Sequence, residues 1–400
     1  MALTSVEDAL SRLLHDVPVT ASESVPLAGA LDRVLAEDLS AERPQPPFPA
    51  SAMDGYAVRS ADAVSGATLQ VIGESRAGAR YDGALSAGQA VRIFTGAPVP
   101  DGADGILIQE NAVASGTNIQ VTTGVDAGRY IRPEGLDFAA GDTLLEAGIV
   151  MSARKIALAA SMNRPALAVR RRPRVAVLST GDELVPPGGK PGVDQIISSN
   201  GIGVSMLVSA CGGEPDDRGI AADRIEAIDA RLPAPGEADI LVLIGGASVG
   251  DHDLVQETLV RRGMELDFWR IAMRPGKPLM VGKLDRMHVL GLPGNPVSAM
   301  VCGHIFLKPL IHAMLGLPLR DSRVNARLAA PMVQNDERQD YVRATLSRAE
   351  DGLVVTPFSR QDSSMLATLA HSDALIIRPP HGPALAAGAT VPVLLLDPVQ

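Results

Sequence analysis

The sequence predicts a multidomain α/β protein, with helical segments around an inserted β domain, then a doubly wound α/β domain and a C-terminal β domain. Three observations carry this prediction. Between residues 171 and 317, apolar strand runs alternate with helical patterns, which implies a parallel sheet covered on both faces. From about residue 50 to 138, and again beyond 322, short runs lie between Gly, Asp and Pro turns, as in small β domains. A chain of 400 residues is also too long for one compact core, so roughly two to four domains are expected.

The elements follow in order. Thr4 and Glu7 have capping-box spacing, and Val6, Ala9, Leu10, Leu13 and Leu14 form one apolar helical face. A second short helix is predicted around Leu27 to Leu35. The prolines of Arg43-Pro44-Gln45-Pro46-Pro47-Phe48-Pro49 then mark a boundary. Strands follow at Leu69–Ile72, Ala90–Phe94, Ile106–Gln109 and Ile119–Thr123. Residues 141 to 170 return to helix, and packing this segment on the N-terminal helices makes the β domain an insertion. Val175–Leu178, Ile240–Ile244 and Val289–Leu290 are the predicted strands of the α/β domain. Asn200 caps a helix that stops at Gly212-Gly213, and another helix follows Pro296. Beyond these, Tyr341–Arg348, a turn at Asp351-Gly352, Val354-Val355, Ala374–Arg378 and Val391–Leu396 suggest a barrel or sandwich. The expected boundaries are 1–45 with 139–170, 46–138, 171–320 and 321–400.

Composition narrows the function. Apolar residues make up 46% and aromatics 3%, so aliphatic side chains fill the cores. The net charge of −10 argues against a general nucleic-acid binder, while local Arg and Lys can still serve an anionic small molecule. The two cysteines, Cys211 and Cys302, have neither disulfide-framework nor zinc spacing and read as buried hydrophobes in a reducing cytoplasm. No signal peptide and no uninterrupted apolar run of about 18 residues is evident, so no membrane span is expected.

Three glycine-rich turns concentrate the chemistry. They read Gly245-Gly246-Ala247-Ser248-Val249-Gly250-Asp251-His252-Asp253, Arg274-Pro275-Gly276-Lys277-Pro278 and Gly291-Leu292-Pro293-Gly294-Asn295-Pro296. The first and third follow apolar strands, which deliver loops to the carboxyl edge of an α/β sheet, where glycine lets an oxyanion approach the main chain. Gly246-x-Ser248-x-Gly250 formally matches a nucleophile elbow, but Asp251 and Asp253 follow instead of the expected helix. Arg274-Pro275-Gly276-Lys277 fails the phosphate-loop pattern, since Ile271 and Pro278 stand where a glycine and a hydroxyl belong. Asp182-Glu183 follows a strand through Thr180-Gly181. This pair, like Asp251 and Asp253, suits either Mg²⁺ or a helix N-terminus. The histidines form no metal set; His304 and His312 read as structural.

Together these segments resemble the molybdopterin molybdenumtransferase family, which includes the E domain of gephyrin. The resemblance runs the length of the chain. It is carried by Ser5–Leu10, Pro46-Pro47-Phe48 with Ser51–Val58, Arg92–Pro98, Ser179–Leu184 and the three turns. It implies an elongated helical domain, an inserted β domain, an α/β molybdopterin-binding domain and a C-terminal β domain. It also implies a cytoplasmic homodimer whose active site is shared between subunits. The implied substrates are adenylylated molybdopterin and molybdate, with Mg²⁺-dependent release of AMP, and the molybdopterin adenylyltransferase is a candidate partner.

Carried over by position, Asp182, Glu183, Asp251 and Asp253 lie near metal and phosphates, with Glu183, Asp251 and Asp253 as metal ligands. Arg274, Lys277 and Ser363 hold molybdate; Asp54 and Thr95 reach the site from the partner. Gly245, Gly246, Ser248, Gly250, Pro293, Gly294 and Asn295 contact substrate. Three positions depart from the family pattern: Leu136 replaces an acidic residue, Arg274 a lysine, and Ile244 a small or polar residue. The rival readings are a molybdopterin adenylyltransferase, which leaves residues 1–170 and 322–400 unexplained, and a partner-binding scaffold.

Overall fold

The computed structural model describes residues 3–245, 254–318, 323–350 and 352–396, with the side chain of Trp269 excepted. The chain forms two compact units, one of residues 1–23 with 170–400 and one of residues 24–169.

In the larger unit, a six-stranded sheet runs in the order Glu214–Ala221, Arg174–Thr180, Ile240–Ile244, Met287–Leu292, Pro278–Leu284, Glu265–Arg270. The first four strands are parallel, and Pro278–Leu284 runs antiparallel to both its neighbours, Met287–Leu292 and Glu265–Arg270. The sheet is therefore mixed rather than wholly parallel. The physical reason lies in Asp285-Arg286, with Asp285 at φ 52°: this tight turn joins Pro278–Leu284 directly to Met287–Leu292 and leaves no room for a crossover helix. The strands Arg174–Thr180 and Ile240–Ile244 are buried almost throughout, as their apolar sequences require.

Helix Asn200–Ala210 and the helical run Pro296–Met314 cover one region of this core. That run is 19 residues long and apolar enough to cross a bilayer, but most of it is buried inside the protein, as in a core helix. Burial pushes the Cys302 thiol up to about 12 and the Cys211 thiol to about 11, which leaves both as inert apolar groups.

Helix Val6–Leu13 belongs to this unit as well. Its N-cap is Ser5, whose Oγ accepts from Asp8 N at 3.0 Å; the predicted cap, Thr4, is one residue early. Thr4 is unavailable because its backbone bonds Arg270 and Ala272 in strand fashion. Beyond residue 323, five strands close into a barrel through the pairing of Gln339–Ala349 with both Gly352–Pro357 and Ala374–Arg378; Met273–Arg274 adds to its edge.

In the smaller unit, a six-stranded half-barrel runs Gly105–Ile108, Gly55–Val58, Gln89–Ile93, Thr68–Ser75, Asn118–Val121, Ala112–Ser115. The flanking segments share a separate core that includes Leu35, Leu39, Phe138, Met151, Met162 and Leu167. Among the described residues these segments show no elongated helical domain. The helix expected over Leu27–Leu35 is only a 3-10 turn at Leu27–Gly29, entered from Pro26 and ended by Asp32 at φ 59°. Within 141–170, only Ala153–Ser161 is helical. Gly141 and Gly148, both at positive φ, set off the strand Thr143–Leu145, which pairs with Leu39–Ser40.

Candidate functional site

The carboxyl ends of the parallel strands open into a cleft of about 730 Å³. Three glycines form its floor. Gly245, at φ +92°, donates its N–H to Leu292 O at 3.2 Å, and a Cβ there would lie 2.5 Å from Thr180 O. Gly181 is also at positive φ, and a Cβ on it would collide with the Glu183 carboxylate. Gly294 faces the Cα of Gly245, and its carbonyl accepts from Asn200 Nδ2 at 2.6 Å. Asn200 was expected to cap its helix; its side chain instead crosses to the Gly291–Pro296 turn, and the N-cap position falls to Ser199.

Glu183, Gly245, Pro293, Gly294 and Asn295 line this cleft, as do Ser179, Thr180, Ser198 and Ser199. Thr180 Oγ1 is buried there with no hydrogen-bond partner among the described residues. Asp182 sits beside Glu183, and its Oδ1 accepts from Asp223 N at 3.2 Å. Asp223 is the carboxylate that the sequence did not reveal. It follows Glu214–Ala221, whose Pro, Asp, Asp, Arg and Gly residues break the apolar run that marks the other strands. Burial, and then the charges of Asp182 and Glu183, raise its carboxyl above the ordinary Asp value.

Ser363 is drawn to the same region from the C-terminal domain. Its Oγ accepts from Asn295 Nδ2 at 3.1 Å, and its carbonyl accepts from Val297 N at 3.1 Å. The loop that carries Ser363 is fixed from beneath by Arg343, a guanidinium only 1% exposed. Arg343 donates through Nε to Gln361 Oε1 at 3.1 Å and through Nη1 to Asp362 O at 2.9 Å.

Arg274 and Lys277 stand on the neighbouring turn but do not line the cleft, although Pro278 does. Arg274 is engaged by Asp336 at 3.1 Å and by Asp340. Lys277 is exposed, without an ion pair among the described residues. Gly276 is required at their apex, since a Cβ would come within 2.5 Å of Cys302 Sγ. Gly246, Ser248, Gly250, Asp251 and Asp253 lie outside the described residues, and no cluster of three or more metal-ligating side chains occurs among those described.

In the smaller unit, Asp54 and Thr95 meet. Asp54 Oδ1 accepts from Thr95 N and from Thr95 Oγ1, both at 2.8 Å, and these two bonds hold its carboxyl below the ordinary value. Gly55 follows because its strand presses against Leu107 O, where any Cβ would overlap. Arg92 completes the group; it stacks over Tyr56 and Phe94 and donates to Gly55 O.

Comparison with known proteins gives this arrangement a family. Residues 4–163 match the MoeA N-terminal region (domain I and II), 176–313 a probable molybdopterin binding domain, and 325–396 the MoeA C-terminal region (domain IV). The chain is 33% identical to a molybdopterin molybdenumtransferase of Haemophilus influenzae over 98% of each chain. It is 34% identical to one of Nostoc sp. over 98% of this chain and 94% of that one. A crystal structure of the molybdopterin biosynthesis MoeA protein of Pyrococcus horikoshii superimposes with a TM-score of 0.87 at 29% identity, covering 100% of both chains. The chain belongs to the MoeA family of molybdopterin molybdenumtransferases, transferases of molybdenum cofactor biosynthesis.

Proposed function

We propose that this chain inserts molybdate into adenylylated molybdopterin and releases AMP, with the cleft at the carboxyl edge of the sheet as the site. The observation that carries the reading is the pairing, in one cleft, of a glycine floor with the carboxylates Glu183 and Asp223. Main chain bare of Cβ at Gly245 and Gly294 suits a phosphate or other tetrahedral oxyanion, which can lie against such groups.

The two carboxylates that line the cleft, Glu183 and Asp223, suit a hard divalent cation such as Mg²⁺ rather than a soft metal, and Glu183, Asp251 and Asp253 are its ligands in this reading. The raised carboxyl of Asp223 agrees, because crowded acidic groups gain most from a cation among them. Mg²⁺ would neutralise the diphosphate of the adenylate when bound. The chain's own groups orient the substrate: Asn200 and Leu292 fix the floor, and Asn295 presents the Ser363 hydroxyl. Ser363, Arg274 and Lys277 are the molybdate-holding groups in this reading. Asp54 and Thr95 complete the site from the partner of a cytoplasmic homodimer.

The test is to incubate the protein with adenylylated molybdopterin, Mg²⁺ and molybdate and to follow AMP by chromatography. Molybdate-dependent AMP release, lost in a folded Glu183→Gln variant, is the expected result. Release that ignores molybdate, or that survives this substitution at the wild-type rate, would overturn the reading.

A further inference from the structure

The cleft has one wall whose chemistry the glycine floor does not explain. Directly after the carboxylates Asp182 and Glu183, the chain forms a two-stranded parallel ribbon of Leu184–Val185 with Ile196–Ile197. Leu184 and Ile196 are direct cross-strand partners, so their side chains share a face, and both line the cleft. Ile196 is 59% exposed. A single exposed isoleucine needs no explanation. A cross-strand aliphatic pair on the wall of a cleft, facing a polar floor, is a different matter, because it leaves apolar surface wet where a ligand is to bind.

The ribbon is also held in register with the acidic turn. Ile196 N donates to Glu183 O at 2.8 Å, and Gln195 Nε2 donates to Asp182 O at 3.3 Å. The aliphatic pair therefore stands at a fixed place relative to Asp182 and Glu183. A substrate whose anionic end lies against the glycine floor has its uncharged, flat end free to reach the ribbon.

We propose that Leu184 and Ile196 form the platform on which a planar heteroaromatic ring of the substrate lies, and that this platform helps to set substrate specificity. The proposal rests on the function proposed above. That substrate carries two such rings, the adenine of the nucleotide and the pterin, and the platform takes one of them.

The experiment measures the affinity of AMP and of metal-free molybdopterin by calorimetry for wild type, Ile196→Ala and Val193→Ala. Val193 is fully exposed and does not line the cleft, so it controls for general effects of the ribbon. Ile196→Ala is expected to weaken one ligand about five- to tenfold, from partial loss of apolar contact, while Val193→Ala changes neither. A loss confined to AMP identifies the adenine as the ring; a loss confined to molybdopterin identifies the pterin. Wild-type affinity of Ile196→Ala for both ligands overturns the platform and leaves the function standing, as does an equal loss in Val193→Ala. A wild-type chain that binds neither ligand overturns the function and the platform together.

Discussion

Replacing Gly245 by alanine tests the geometry of the cleft floor more sharply than any change of charge. Two costs are expected. The residue sits at φ +92°, where an L side chain costs about 1–2 kcal/mol. The new Cβ would also lie 2.5 Å from Thr180 O, a backbone atom that cannot rotate away. Relieving that overlap moves two neighbouring strand ends and adds about 1–2 kcal/mol. The two costs bring the loss to about 2–4 kcal/mol, which lowers the Tm by roughly 4–8 °C in a unit of this size.

Gly263→Ala supplies the control in the same unit: its φ of +93° is nearly the same, but no atom lies within 4 Å of its Cβ position. It should show the conformational cost alone. Gly294→Ala supplies the opposite control, since its φ is ordinary and its nearest contact is 3.7 Å away. It should leave stability within about 0.5 kcal/mol of wild type. Thermal unfolding by circular dichroism separates the three. Equal melting temperatures for Gly245→Ala and Gly263→Ala would refute the claim that backbone approach, rather than φ alone, demands glycine at 245.

Other consequences follow from the same geometry. Asp239 accepts from both terminal nitrogens of Arg171 at 2.9 Å and from Arg174 N at 2.7 Å, and these bonds outweigh its burial to hold its carboxyl below the ordinary value. Asp239→Asn should cost about 2–3 kcal/mol near neutral pH. Because the folded pKa is depressed, that cost should vanish as pH falls below the ordinary Asp range in a pH series of unfolding curves. Asp223 shows the opposite sign: its folded pKa is raised, so ionisation there disfavours the folded state. Asp223→Asn should raise Tm at neutral pH while AMP release falls, and the Tm gain should disappear in acid. A double-mutant cycle of Asn295→Ala and Ser363→Ala should give a stability coupling of about 0.5–1 kcal/mol. Strict additivity would mean that their 3.1 Å bond is not maintained in solution.

What the sequence made legible is what local chemistry dictates. Ile240–Ile244 was readable to the residue because a wholly apolar run has one use in a sheet of this kind. The convergence of Gly245 and Gly294 was readable as glycine after a strand. Asp223 was hidden because its strand, Glu214–Ala221, lies at the sheet edge and is half exposed, so its composition is polar. Pro278–Leu284 and Glu265–Arg270 were missed for a related reason: they pair antiparallel through a turn and a neighbour that carry no helical signal between them. The helix over-predicted at Leu27–Leu35 shows the converse. Its spacing allowed a helix, but a left-handed Asp32 and tertiary bonds to Met151 decided otherwise. Long-range hydrogen bonds such as Asn200 to Gly294 have no sequence signature at all, since the partners are 94 residues apart.

Those unreadable bonds determine how the site behaves as a unit. The floor is tied laterally, from Asn200 to Gly294 and from Gly245 to Leu292, so Gly245 and the helix start at Asn200 are both linked to the Gly291–Pro296 turn. The third turn is tied in addition to the C-terminal domain, where Val297 N and Asn295 Nδ2 both bond Ser363. Ser363 in turn is set by a loop that one buried guanidinium, that of Arg343, holds through Gln361 and Asp362. A buried cation retained at that cost implies that the position of the 361–364 loop matters more than the stability an apolar residue would supply. Lysine cannot replace it, because a point ammonium cannot span Gln361 Oε1 and Asp362 O as the planar fork does. The barrel therefore reaches the cleft through Asn295, a lining residue whose amide bonds the Ser363 hydroxyl that the Arg343 network positions.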